Sequence, residues 1–157
     1  GVAGGSSEAL MRTVYNLITG KDLQNFKVAD FRSNNNIREV KFNAGDREFT
    51  FIVISGLKDI HKFMDELAAG NVKADYIEVM ACPGGCVNGG GQPFVSEDKD
   101  SRQRAKALYE IDEIDIIRCS HKNPQVQEIY TNYLGEPGGD LARRILHTTF
   151  VKRDVLL

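Results

Sequence analysis

The sequence predicts an α/β fold (mixed α+β) in which helices flank a small mixed sheet of three to four strands. Residues 37–43 alternate between apolar and polar side chains, and residues 47–55 are more apolar. A short polar turn separates the two segments, as in a β-hairpin. Apolar residues recur at helical spacing before and after this pair. A helical segment also separates residues 47–55 from a strand-like segment at 74–80, which favours a parallel, right-handed connection.

The first two helices are predicted from capping residues and apolar spacing. Ser6 and Ser7 are plausible N-caps of a helix that Gly20 ends in the left-handed conformation. Its apolar positions are Leu10, Met11, Val14, Tyr15, Leu17 and Ile18. A second amphipathic helix, which Gly70 closes, is marked by Leu57, Ile60, Met64 and Leu67.

Three further helices are predicted after the strand at 74–80. One runs over about 101–111, with Ala105, Leu108 and Ile111 on one face. Asn123 caps the next, and Pro124 opens it. A last helical piece covers about 140–147. The order helix, hairpin, helix, strand and helices indicates one small sheet covered by helices, and we expect residues 1–157 to form a single domain.

Composition excludes several classes of protein. The chain has 157 residues, of which 41% are hydrophobic and 27% charged, and its net charge is −2. This balance argues against a nucleic-acid partner. The longest apolar stretch is too short for a membrane span, and no signal peptide is visible, so cytoplasm is the default location. The chain begins at Gly1 inside a glycine-rich segment, from which we expect a fragment or a processed product.

Cysteine spacing points to a metal or redox site. The chain has three cysteines, and Cys82 and Cys86 lie four residues apart after a predicted strand. Two such thiolates can reach one soft metal centre, and a disulfide between them stays possible. Glycines without Cβ atoms would let the backbone approach a bulky cluster and direct N–H groups at it. The candidate loop positions are Gly84, Gly85, Gly89, Gly90, Gly91 and Gln92.

Zinc and phosphate are weaker alternatives for this loop. A structural zinc site usually needs two closely spaced ligand pairs, whereas this chain has one, and its three histidines show no partner spacing. A phosphate-binding loop would end in Gly-Lys-Ser/Thr, which is not the sequence at 91–93. Cys119 is interpreted as a structural thiol and Glu78 as a hydrogen-bond acceptor at a strand end.

Residues 78–93 resemble the third cluster-binding motif of the iron-only ([FeFe]) hydrogenases. The motif reads Glu-x-Met-Ala-Cys-x-x-Gly-Cys-x-x-Gly-Gly-Gly-Gln-Pro, and every fixed position is present here. Residues 1–13 are similar to the glycine-rich loop and helix that follow the family's second motif. Arg118, residues 120–124 and residues 146–148 are similar to its C-terminal stretch. The resemblance identifies the chain with one lobe of the family's catalytic domain.

The resemblance implies a reaction and a cofactor for the parent protein. Family members interconvert protons and electrons with H2 at an H-cluster, a [4Fe-4S] cubane joined through one cysteine sulfur to a diiron unit. Cys82 matches a cubane ligand, and Cys86 matches the cysteine that also bridges to the diiron unit. Met80 matches a methionine packed against the diiron subsite, with a core methionine at a strand end as the equal alternative.

The missing motifs define what we expect of the fragment. The family's other two cubane cysteines come from earlier motifs that this chain lacks, so the implied partners are the N-terminal remainder of the domain and an electron carrier such as ferredoxin or a partner subunit. We expect the isolated fragment to be inactive and without cofactor. Ser6 and Ser7 stand where the family has larger residues. A sensory homologue, or an iron–sulfur assembly relative without a diiron site, is the alternative function.

Overall fold

The computed structural model describes residues 1–23, 29–32, 35–58, 60–93 and 98–151. The described residues divide into two compact units, residues 1–118 and residues 119–157. The first unit carries the sheet and the cysteine loop, whereas the second is helical. The single domain expected from the sequence stays a prediction, and the two units are described separately below.

The first unit contains a three-stranded mixed sheet. Its strands are β1 (Ile37–Ala44), β2 (Arg47–Ser55) and β3 (Tyr76–Met80), in the spatial order β1-β2-β3. Strands β1 and β2 are antiparallel, and β2 and β3 are parallel. The predicted mixed sheet, hairpin and parallel crossover are therefore confirmed, although the third strand starts at Tyr76 rather than at residue 74.

A two-residue turn sets the register of the hairpin. Ala44 lies opposite Arg47, so that only Gly45 and Asp46 connect the strands. Gly45 has a φ of 61°, the left-handed region that such tight turns require. Strand β1 alternates between exposed and buried positions, and its inward positions include Arg38 as well as Val40.

Each face of the sheet packs against one helix. Met11 of α1 (Gly5–Thr19) is buried with Val40, Phe51 and other side chains on one face. Phe63 of α2 (Ile60–Ala68) is buried with side chains of β2 on the other face. Strand β2 is central and is covered on both sides, which explains its almost continuous apolar run.

Two details of the predicted helices are wrong. Helix α2 faces the sheet with Ile60, Phe63 and Leu67, whereas Leu57 and Met64 are each 50% exposed. Residues 57, 60, 64 and 67 are spaced like one face of a helix, but residue 57 precedes α2. The face that packs on the sheet therefore contains Phe63 in place of Met64. The N-cap position of α1 is Gly4, and neither Ser6 nor Ser7 caps it.

Helix α3 (Asp98–Ile114) is longer at both ends than predicted. Its predicted apolar face is largely solvent-accessible in this chain, since Leu108 is 40% and Ile111 57% exposed. Among the helices in the described part of the chain, none combines the length and the apolar character needed to cross a lipid bilayer.

The second unit consists of short helices. Helix α4 (Pro124–Ile129) begins as predicted, because the Asn123 side chain accepts a hydrogen bond from the Gln125 N–H at 2.9 Å. A π-helical turn, Tyr130–Leu134, continues it to Gly135. Helix α5 (Asp140–Leu146) follows. The predicted helices of this region are thus confirmed.

Candidate cluster-binding site

The two candidate ligands lie in a loop that begins where β3 ends. Met80 is the last residue of β3, and Cys86 opens a short 3₁₀ turn, Cys86–Asn88. Both Cys82 and Cys86 are free thiols; Cys82 is half-buried and Cys86 is exposed. The loop therefore presents two reduced sulfur atoms from a rigid strand end, one of them open to a binding partner.

The N-terminal segment of the chain lies along this loop. Val2 and Gly85 form an antiparallel bridge, the Ala3 N–H donates to the Gly84 carbonyl at 3.0 Å, and the Val87 N–H donates to the Gly1 carbonyl at 3.2 Å. Gly85 has a φ of 91°, and a Cβ there would lie 2.6 Å from the Ala3 nitrogen. Only glycine permits this close approach of the two backbones.

Glu78 connects the same N-terminal segment to the sheet. Its side chain is 5% exposed, and its carboxylate accepts hydrogen bonds from the Gly4 N–H at 2.7 Å, the Ser7 N–H at 2.8 Å and the Ser7 hydroxyl at 2.6 Å. A carboxylate at this position satisfies the first N–H groups of α1 and interacts favourably with the helix dipole. Glu78 therefore acts in place of the predicted serine caps, and it is the hydrogen-bond acceptor that the sequence predicted.

The end of β2 supports the beginning of the loop. The Gly84 N–H donates to the Ser55 hydroxyl at 2.6 Å, and the Gly56 N–H donates to the Met80 carbonyl at 2.8 Å. The half-buried Met80 side chain packs against the core that contains Phe51. This contact agrees with a core methionine, while its position beside a diiron subsite stays a prediction.

Glycine leaves room beside one of the sulfur atoms. A Cβ on Gly89 would lie 3.2 Å from the Cys82 Sγ, closer than side chains normally approach. Loop N–H groups also hold the turn together: Gly85 donates to the Cys82 carbonyl, Gly89 to the Cys86 carbonyl, and Gln92 to the Gly89 carbonyl. Gly90, Gly91 and Gln92 are exposed. That the loop N–H groups face a cluster stays a prediction.

Within the described ranges, no group of three or more His, Cys, Asp or Glu side chains is placed to hold a metal ion. Cys119 is buried at 7% exposure, as expected for a structural thiol, and it belongs to the second unit. The three histidines are dispersed along the sequence at His61, His121 and His147. The described donors in the loop are thus the two cysteines.

Sequence reasoning missed two supports that come from α3. Arg104 donates from Nε to the Val87 carbonyl at 2.7 Å, which fixes the residue after Cys86. Asp112 accepts hydrogen bonds from Arg12 at 3.1 Å and from Arg118 at 2.7 Å. The paired residues are 6, 17 and 100 positions apart, which matches no helical or strand period, so no local pattern predicts these contacts.

The contacts of Asp112 belong to a larger ion-pair network between α1 and α3. Glu8 accepts hydrogen bonds from Arg12 at 2.5 Å and from Arg32 at 2.7 Å. Burial acts to raise the pKa of Asp112, but hydrogen bonds and attraction from Arg12 and Arg118 outweigh it, and the pKa lies below its ordinary value. The Glu8–Arg12 spacing of four residues was the one part of this network visible in the sequence.

Comparison with known families divides the chain in two. Residues 1–90 match the family described as iron only hydrogenase large subunit, C-terminal domain. Residues 98–153 match the family described as iron hydrogenase small subunit. The first match includes both loop cysteines and the N-terminal segment that lies along them.

Curated relatives include hydrogenases and iron–sulfur assembly proteins. The NADP-reducing hydrogenase subunit HndD of Solidesulfovibrio fructosivorans is 38% identical over 99% of this chain, and iron hydrogenase 1 of Clostridium pasteurianum is 36% identical over 97%. This chain spans 27% of the length of each. The cytosolic Fe-S cluster assembly factor narfl of Danio rerio is 32% identical over 64% of this chain and 24% of its own.

Solved structures give the same result. An [FeFe]-hydrogenase HydA(deltaEFG), from a study of stepwise H-cluster assembly, has a TM-score of 0.74 and 34% identity over 96% of this chain and 46% of its own. A variant of [FeFe]-hydrogenase HydA1 from Chlamydomonas reinhardtii has a TM-score of 0.75 and 33% identity over 96% of this chain and 45% of its own. With a family match over more than half of its residues, the chain belongs to the iron-only hydrogenase family, as a C-terminal region.

Proposed function

We propose that this chain is the C-terminal part of a hydrogenase catalytic domain that reversibly reduces protons to H2. In this proposal Cys82 and Cys86 supply two ligands to the H-cluster, and the N-terminal remainder of the domain supplies the others. An electron carrier, such as ferredoxin or a partner subunit, delivers the electrons. The observation that carries the proposal is the loop after β3, which presents two free cysteines within the complete family motif.

The donor set fits an iron–sulfur cluster. Thiolates are the ligands that such clusters prefer, and two of them occur here without a disulfide. Gly89 leaves the Cys82 sulfur uncovered on one side, where a Cβ would come within 3.2 Å. Since the loop contributes two donors, the remaining ligands of a four-iron cubane must come from outside this loop.

The protein's own residues hold the two sulfur atoms in place. When bound, the cluster supplies the electron transfer and the site at which protons and H2 interconvert. Ser55 and Arg104 hold the backbone on either side of Cys86, by accepting from the Gly84 N–H and donating to the Val87 carbonyl. Glu78 ties the neighbouring N-terminal segment to β3. These contacts preorganise the loop before a cluster arrives.

Serine substitutions in the full-length parent test the two ligand roles. Cys82→Ser is expected to destabilise the cubane, so that anaerobically purified protein contains less iron and acid-labile sulfide. Cys86→Ser is expected to lower the iron content and also to abolish the infrared bands of the CO and cyanide ligands, because this sulfur is the proposed bridge. Cys119→Ala is the matched control, since it removes a thiol that we place outside the site.

The outcome separates a ligand role from a general loss of folding. Unchanged iron content in both loop variants would overturn the ligand assignment. Equal loss of iron in Cys119→Ala would show that thiol removal acts through stability instead. Circular dichroism of all three variants must show the parent's helix content for the comparison to hold.

An assembly or scaffold role is the second candidate, favoured by the assembly factors among the relatives. The protein NAR1 of Arabidopsis thaliana is 26% identical over 96% of this chain, compared with 38% for the subunit HndD over a similar span. Such a role predicts a parent that retains iron without CO and cyanide bands and without H2 activity. A sensory homologue would show those bands with low turnover. Infrared spectra and H2 assays of the parent distinguish the three.

A further inference from the structure

The backbone of Val87, the residue after Cys86, is held by groups from outside the cysteine loop. Val87 is 5% exposed, and its carbonyl accepts a hydrogen bond from the Nε of Arg104 in α3 at 2.7 Å. Its N–H donates to the Gly1 carbonyl at 3.2 Å. Val87 is the middle residue of the 3₁₀ turn Cys86–Asn88. Both of its backbone polar groups are therefore bound by segments that do not belong to the loop.

The same turn borders the sulfur atom of the other cysteine. A Cβ on Gly89 would lie 3.2 Å from the Cys82 Sγ and 3.6 Å from the Cys86 Cα, so the sulfur lies beside the backbone of the turn. The Gly89 N–H closes the turn by donating to the Cys86 carbonyl at 3.2 Å. A change in the turn at Val87 therefore alters both the backbone of Cys86 and the backbone that borders the Cys82 sulfur.

Arg104 has one hydrogen-bond partner among the described residues, the Val87 carbonyl. Its Nη2 atom is buried and has no partner within the same ranges. An unsatisfied buried donor costs free energy, whereas a charged donor forms a stronger hydrogen bond than a neutral one. The contact that Arg104 contributes in return for this cost is the one that fixes the turn.

The position of helix α3 does not depend on Arg104 alone. Asp112, about two turns further along the helix, accepts hydrogen bonds from Arg12 of α1 and from Arg118. These contacts attach the C-terminal half of α3 to the unit. Loss of the Arg104 hydrogen bond is therefore expected to release the Val87 carbonyl while α3 stays in place.

We propose that Arg104 is a positioning residue for the two cysteines: its hydrogen bond to the Val87 carbonyl holds the turn Cys86–Asn88 and thereby the arrangement of both thiols. Arg104 lies in the region that matches the small-subunit family, whereas both cysteines lie in the region that matches the large-subunit family. The first helix of the small-subunit region thus takes a direct part in preparing the cluster site. The consequence for a bound cluster rests on the proposed function, whereas the positioning of the thiols does not.

Amide exchange and alkylation of the metal-free 157-residue chain test the positioning. Arg104→Met keeps an unbranched apolar stem but removes the donor. The Asn88 and Gly89 amides, which are hydrogen-bonded within the turn, are expected to exchange about fivefold faster or more. Iodoacetamide at constant pH is expected to modify Cys82 about twofold faster or more, measured by peptide mass spectrometry, because the turn beside its sulfur opens more often. Exchange at residues 51–54 of β2 is expected to stay unchanged.

Two control variants separate Arg104 from its helix. Arg102→Met removes an exposed cation two residues earlier on α3 and is expected to leave exchange of the turn amides within about twofold of the unsubstituted chain. Asp112→Asn weakens the attachment of α3 but retains the Arg104 hydrogen bond, and the same narrow range is expected. Unchanged turn exchange in Arg104→Met, an equal increase in either control, or an equal increase in β2 overturns the proposal.

The full-length parent provides a second readout through the cluster. There Arg104→Met is expected to retain iron but to shift the infrared bands of the CO and cyanide ligands, because Cys86 is the proposed bridge, whereas Arg102→Met is expected to leave them in place. Bands that stay in place in Arg104→Met overturn the consequence for the cluster. Absence of these bands from the unsubstituted parent counts against the proposed function alone, and exchange in the metal-free chain then decides the role of Arg104.

Discussion

At the scale of a single residue, Glu78 shows that a residue of the motif can have a structural role. Its buried carboxylate accepts three hydrogen bonds from Gly4 and Ser7, at the start of α1. Those donors lie more than 70 residues away in sequence. The same carboxylate is two residues before Met80, so the contact fixes the N-terminal segment against the strand that leads to Cys82.

Glu78→Gln is expected to destabilise the chain by about 2 kcal/mol, because hydrogen bonds to a charged acceptor are stronger than neutral ones and the amide nitrogen would face an N–H donor. Urea unfolding followed by circular dichroism measures this loss. Glu48→Gln, on an exposed position of β2, is the matched control and is expected to change stability by less than about 0.5 kcal/mol. Equal effects in both variants would contradict the capping role.

Gly85 shows why the motif needs glycine at one position in particular. Its φ of 91° is strained for other residues, and an added Cβ would lie 2.6 Å from the Ala3 nitrogen and 2.9 Å from the Gly1 carbonyl oxygen. Gly84 has a φ of 80° but would meet no atom closer than 3.9 Å. Comparing substitutions at the two positions therefore separates the effect of backbone strain from that of steric clash.

Gly85→Ala is expected to cost clearly more stability than Gly84→Ala. Gly84→Ala carries the left-handed strain of about 1 kcal/mol, whereas Gly85→Ala must also separate the loop from the N-terminal segment. Gly90→Ala, where nothing lies within 4 Å and φ is not positive, is the near-neutral control. Thermal unfolding of the three variants measures the order, and a Gly84 variant as unstable as the Gly85 variant would refute the clash.

At the scale of elements, charged hydrogen bonds join α1 and α3. Arg12 of α1 donates to Asp112 of α3 and to the Arg118 carbonyl, and Arg118 donates to Asp112 in turn. Leu108 and Ile111 of α3 remain 40% and 57% exposed. The carboxylate of Asp112 therefore contributes to holding α3 on this unit, together with the Arg104 hydrogen bond to the Val87 carbonyl.

Asp112→Asn is expected to lower stability by about 1 kcal/mol at pH 6, since the partly exposed ion pair contributes modestly. The pKa of Asp112 is lowered in the folded state, so its stabilising effect is present above the unfolded value of about 4 and is lost as pH falls through the folded value. The difference between the two proteins should thus shrink below about pH 4.

Urea unfolding at several pH values between 2.5 and 6, a range set by ordinary carboxylate titration at about 4, measures this difference. Asp65→Asn, at an exposed position of α2, is the matched control, for which a small difference in stability at pH 6 is expected. A stability difference for Asp112→Asn that stays constant or grows toward acid would contradict the assigned role.

At the scale of the whole molecule, the two loop thiols cannot complete a four-iron cubane. Anaerobic reconstitution of the 157-residue chain with iron and sulfide is expected to give at most labile iron and no H2 activity, because two thiolates leave two irons open to water. Iron and acid-labile sulfide counts per chain, read after gel filtration, measure this. A stable four-iron content in the monomer would contradict the two-ligand assignment, and a dimer would point to four cysteines shared across an interface.

The sequence by itself determined the mixed sheet, the hairpin, the helix caps at Asn123 and Gly20, and the family, because these depend on local spacing and on a contiguous motif. The motif also located Cys82 and Cys86, since both lie within one short loop.

Only the tertiary structure decided what holds that loop in place. The cap of α1 comes from Glu78, the N-terminal segment lies along the loop, and Arg104 of α3 donates to the Val87 carbonyl within it. Hydrogen bonds and ion pairs between residues far apart in sequence leave no periodic signal, so the local sequence does not predict them.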